Sequence, residues 1–129
     1  MLWLTGLLFA TNAVHAAARK AWIYAAALAA LAITSYLWHA RTTDSQLLFW
    51  LDQLALWCVV LLGAYYWQRM TGNDRWIPAI LVIAVISMGY GGALTESFVY
   101  DSDESINRPA HGIVHVLSSI GHHAILSTI

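Results

Sequence analysis

Residues 21–40 read AWIYAAALAALAITSYLWHA, an unbroken run without a formal charge. At 1.5 Å of rise per residue, about 20 helical residues cross the ~30 Å hydrocarbon core of a bilayer. Arg19 and Lys20 stand before this run, and Arg41 and Asp44 stand after it. The same interval recurs on both sides. Residues 1–18, 76–95 and 109–129 carry no formal charge, and residues 45–68 carry only Asp52. No water inside a bilayer can satisfy a backbone group, so each run is expected to be helical. The charge pattern therefore predicts one all-α domain over residues 1–129. It is a polytopic membrane bundle of five transmembrane helices, roughly 1–17, 21–40, 46–68, 76–97 and 109–128.

Composition agrees with this and excludes the alternatives. The 129 residues are 60% hydrophobic and 10% charged, with a formal net charge of −1. Soluble domains carry roughly a quarter charged residues. A disordered chain and a basic nucleic-acid binder are both excluded. One cysteine, Cys58, excludes a disulfide framework and a thiolate zinc cluster. Thr71-Gly72-Asn73-Asp74 is turn chemistry, Asp101 to Ser105 reads as an acidic loop, and Arg108-Pro109 is expected to open the last helix. Trp3, Trp38, Trp67 and Trp76 fall near span ends, as an aromatic belt does. The alanines of the second span and Gly89, Gly91 and Gly92 of the fourth would let helices approach closely.

The first span has a rival reading. Leu2–Ala10 could be a signal-peptide core, with Val14-His15-Ala16 as its cleavage site. The Arg19-Lys20 pair follows the apolar run rather than preceding it, which favours a retained helix. Loop charge then sets orientation. Arg19, Lys20, Arg69 and Arg75 share one side, and Arg41 and Arg108 the other, which places the N-terminus outside.

Ionisable residues at membrane depth are functional candidates by default. His39 ends the second span, Asp52 lies in the second turn of the third, and His111 and His115 lie in the first turns of the fifth. Helix parity puts all four at one membrane face. His111 and His115, at i and i+4, project from one side of a helix, the spacing of a two-histidine chelate. His39 could supply a third nitrogen, giving an open site of the kind catalytic zinc occupies. Asp52 could act as general base to a metal-activated water or ligate directly. Ser35, one turn before His39, could donate to a developing oxyanion. The bland readings are packing hydrogen bonds for the histidines, a helix cap for Asp52 and back-bonding for Ser35. The coincidence of all five on three helices favours zinc (Zn2+). His122 would lie ~10 Å deeper than His115 by helix rise, as a core hydrogen-bonding residue. His15 and His123 have no expected partner, Glu96 reads as a loop residue, and Cys58 as a packing residue.

The ordered set Ser35-Tyr36-Leu37-Trp38-His39, Trp50-Leu51-Asp52-Gln53-Leu54 and His111-Gly112-Ile113-Val114-His115 resembles the CREST superfamily of membrane hydrolases. That group includes alkaline ceramidases and the progestin and adipoQ receptors with the hemolysin III proteins. The short gap between His39 and Asp52 is similar to the ceramidase branch. The resemblance implies zinc on His39, His111 and His115, with Asp52 and Ser35 beside the zinc-bound water. It also implies a ceramide-like lipid substrate in the bilayer and no nucleic-acid partner. The family has seven spans, so two appear absent between the Asp and His-x-x-x-His helices; removing a pair preserves parity. So small a bundle leaves room for a second copy of the chain as partner. The other readings are a receptor or assembly protein with a structural metal, and a haem-binding redox protein.

Overall fold

The computed structural model describes residues 2–40 and 44–129, and the expectations for Met1 and Arg41 lie outside the described residues. The described chain is all-α, without a strand. Its helices are α1 (Leu2–Gly6), α2 (Leu8–Ala18), α3 (Trp22–Ala40), α4 (Gln46–Trp67), α5 (Trp76–Ile86), α6 (Gly92–Thr95) and α7 (Glu104–Leu126). They form five rods. Two tight bonds at Leu7 join α1 to α2 in the first (Leu7 N–H to Leu4 O 3.2 Å, Ala10 N–H to Leu7 O 3.0 Å). A π-helical stretch, Ser87–Gly91, joins α5 to α6. A single wide turn of this kind inside an α-helix absorbs one extra residue without ending the helix.

The turns follow from local chemistry. Between α2 and α3, Ala21 N–H bonds to Ala16 O and Lys20 N–H to Ala17 O, with Lys20 at φ 59°. This is a Schellman closure built without glycine. Ser45 caps α4 by accepting from Leu48 N–H. Gly72, at φ 84°, makes the turn before α5 that the Thr71-Gly72-Asn73-Asp74 run predicts.

Rods adjacent in sequence mostly pack together, with α3 between the α1–α2 rod and α4. The last helix, α7, returns to lie against α5 and the first rod. Tyr24, Leu28 and Leu31 of α3 meet Phe9, Val59 and Leu126 in the core. The polar groups point inward as well. Asn12, Ser35, Asp52, His115 and Ser119 are buried, while Trp22, Ile23, Leu47, Leu54, Ile83 and Leu94 face outward. Asn12 and Ser119 clamp α2 to α7 with two bonds, Asn12 Nδ2 to Ser119 O at 2.9 Å and Ser119 Oγ to Asn12 Oδ1 at 2.8 Å. An apolar exterior over a partly polar interior suits a hydrocarbon solvent.

Several expectations change. Three helices, Trp22–Ala40, Gln46–Trp67 and Asn73–Thr95, are long and apolar enough to cross a membrane. The first rod is shorter, and α7 carries its serines and histidines along the side that faces the bundle, which lowers its hydropathy. The last helix does not open at Arg108-Pro109. It starts five residues earlier, with Pro109 inside it. The Asp103 carboxylate accepts from Ser105 N–H at 2.8 Å, and Glu104 pairs with Arg108 at 2.8 Å. This cap and pair carry the helix through the proline. Cys58 is exposed on the apolar exterior and packs into no core. Side chains added at Gly89 or Gly91 would meet nothing, so those glycines mark no close helix approach; only Gly92 is crowded, by the Ser97 carbonyl.

Candidate metal centre

The centre assembles where α1 and α7 begin and α3 ends. Helical side chains lean toward their own N-terminus. His39 on α3 therefore leans back into the bundle, while His111 and His115, one turn apart on α7, lean up toward it. One nitrogen from each of the three rings lies within 4.8 Å of the other two. The ring centroids stand 4.7 Å (His39–His111), 4.8 Å (His111–His115) and 5.4 Å (His39–His115) apart. Tetrahedral zinc with bonds of about 2.0–2.1 Å holds its nitrogens roughly 3.3 Å apart. The three histidines therefore could hold a metal ion.

His115 is held by a residue that the sequence does not single out. Thr5 Oγ1 lies 2.8 Å from Leu2 O and 2.8 Å from His115 Nδ1. With its hydrogen on Leu2 O, the hydroxyl accepts from Nδ1–H, and Nε2 keeps its lone pair for a metal. Second partners of this kind orient metal-binding histidines and set their tautomer. Phe9 packs edge-on against the same ring at 5.7 Å.

Ser35 is buried directly below, and its Oγ has no hydrogen-bond partner. Gly6 makes this possible, because a Cβ there would lie 2.7 Å from Ser35 Oγ. The first rod thus supplies both Thr5 and the space for Ser35. A buried hydroxyl without a partner is costly to keep, by about 1–3 kcal/mol, and is the sort of group a functional site retains.

Asp52 is buried on α4 but is not among the residues whose ligand atoms converge. Its Oδ1 accepts from Thr34 Oγ1 at 3.1 Å, a partner not anticipated from sequence. Asp52 therefore does not join the converging histidines as a ligand. Glu96 is exposed at the left-handed end of α6 and joins no cluster.

The remaining histidines form a second polar group at the opposite end. His15 Nδ1 and His123 Nδ1 are 2.8 Å apart, and the two rings stack. Thr11 Oγ1 donates to Leu8 O and lies 3.0 Å from His123 Nε2. Tyr24 Oη lies 2.5 Å from His122 Nδ1. His15 and His123 therefore do have partners, namely each other, and His122 is the core hydrogen-bonding residue its spacing implied. No protein-family model matches the chain, and no curated protein or solved structure is significantly similar to it.

Proposed function

We propose that this protein is a zinc-dependent intramembrane hydrolase that cleaves a lipid amide, a ceramidase-like reaction. The observation that carries the reading is the convergence of His39, His111 and His115 beside the partnerless buried hydroxyl of Ser35. Asp52, on the neighbouring helix, adds a buried carboxylate near the same membrane face. A bound zinc ion would supply Lewis acidity to the carbonyl and bring the pKa of a water near 7.

The chain's own groups divide the remaining work. Thr5 holds His115 in the tautomer that leaves Nε2 free. Ser35 Oγ–H donates to the carbonyl oxygen as it gains charge. Thr34 holds one oxygen of Asp52, and the other takes a proton from the attacking water and returns it to the departing nitrogen. The C–N bond breaks, and a carboxylic acid and an amine leave. Proposed with this reaction is a five-span topology, with the N-terminus outside and the histidine centre at the outer face. The first rod and α7 cross the membrane with their polar sides turned inward.

The test is hydrolysis of a fluorescent ceramide by the zinc-loaded protein in phospholipid vesicles. Asp52→Asn is expected to reduce turnover by about 10²–10⁴-fold, the usual range for an acid–base group. Loaded, folded protein that cleaves no lipid amide would contradict the reading. It would favour a structural metal in a receptor-like protein, a role compatible with Asp52 lying outside the converging set.

A further inference from the structure

The rods of α4 and α5 follow one another in the chain but are not packed side by side. α7 closes the gap from behind, leaving a groove of about 420 Å³. This lies within the roughly 300–1,000 Å³ of small-molecule sites. Its walls are apolar along Val60, Val82 and Leu117, with Ser118 and His122 as the polar exceptions. It runs from Trp67 and Pro78, near the membrane face opposite the metal centre, to Val60 and Val85. Seven residues of helix make that span about 10 Å. The groove is thus narrow, apolar and aligned with the acyl chains of a bilayer.

Arg75 does not line the groove but packs on Trp67, which does, at this end. Trp67 Nε1 donates to Arg75 O at 2.9 Å, and the Arg75 guanidinium sits 5.2 Å over the Trp67 ring. Among the described residues Arg75 makes no ion pair, and its Nε is buried without a hydrogen-bond partner. A guanidinium fixed by stacking, with donors unspent, matches the planar fork of a carboxylate. His122 adds a polar group on the wall, bonded through Nδ1 to the Tyr24 phenol.

We infer that this groove binds one free long-chain fatty acid, with its carboxylate on Arg75 and the carboxyl-proximal part of its chain along the α4–α5 seam. The inference does not rest on the metal centre, which lies at the other end of the bundle. An apolar slot alone would fit any acyl chain. The unpaired cation at its interfacial end selects a single-chain lipid with an anionic carboxylate.

The experiment is equilibrium binding of tritiated palmitate to the full chain in nonionic detergent, with hexadecanol and phosphatidylglycerol as competitors. Saturable binding near one palmitate per chain is expected, weakened roughly tenfold in Arg75→Gln, the scale of one lost charge-assisted contact. Hexadecanol should compete poorly, and Ala79→Phe should abolish binding by filling the slot. Val82→Phe asks the same question if circular dichroism shows that Ala79→Phe has not folded. His115→Ala should bind palmitate normally, which separates this site from the metal reading. Folded protein without saturable binding, equal affinity in Arg75→Gln, or displacement by phosphatidylglycerol in preference to palmitate would each overturn the inference.

Discussion

The bundle carries three histidines at each end, and the two groups do different things with their nitrogens. At one end His39, His111 and His115 converge so that one nitrogen of each lies within 4.8 Å of the others, with Thr5 on His115 Nδ1. At the other end the rings satisfy one another. His15 meets His123, His123 meets Thr11, and His122 meets Tyr24. Histidine count is alike in both places. What separates the two groups is convergence: three ring nitrogens meet at one end, and at the other the rings pair off with one another and with Thr11 and Tyr24. Thr5 orients a ring of the converging set, while Tyr24 ties a ring into the core.

Short of removing a ligand, the largest effect on metal binding is expected at Thr5. Thr5→Val keeps the shape but leaves His115 Nδ1–H without an acceptor. Zinc affinity should fall about 10–100-fold, the usual consequence of losing such a partner, as read by competition with a chromophoric chelator. An unchanged affinity would erase the distinction drawn between the two ends. Tyr24→Phe should act in the opposite sense. It strands a buried nitrogen of His122 and should lower stability by about 1–2 kcal/mol, seen as a lower thermal midpoint, with metal content unchanged. The smallest effect lies at the start of α7. The side-chain and backbone hydrogen bonds from Ser105 hold the Asp103 carboxyl below its ordinary 3.8. A depressed carboxyl stabilises the fold above its ordinary value and loses that contribution as pH falls through the lowered one. The first turn of α7 should therefore fray only in acid below 3.8, seen as faster amide exchange at Ser105 and Ile106, and zinc binding to the histidines two turns further on should not share that transition.

Much of this was legible in the chain because it rests on periodicity. Uncharged runs of membrane length give the rods, and rod parity brings His39, Asp52, His111 and His115 to one face. The i, i+4 spacing makes the α7 pair independent of where that helix starts. Pro109 suggests a boundary there, whereas the Asp103 cap and the Glu104–Arg108 pair start the helix at Glu104. Thr5 and Gly6 were invisible for a different reason. Their partners, His115 and Ser35, are far away in the chain, and neither residue looks unusual among apolar neighbours. The partners of His15 and Asp52 likewise depend on how rods rotate against each other, which composition does not encode. The hydropathy of α7 is lowered by a polar stripe that packs against the first rod.

The most direct measurement is metal content by mass spectrometry of the detergent-purified protein beside His115→Ala and His123→Ala. The account predicts about one zinc per chain, lost in His115→Ala and retained in His123→Ala. Folded protein that takes up no zinc, or equal loss in both variants, would contradict it and leave the two histidine groups as the same kind of structure.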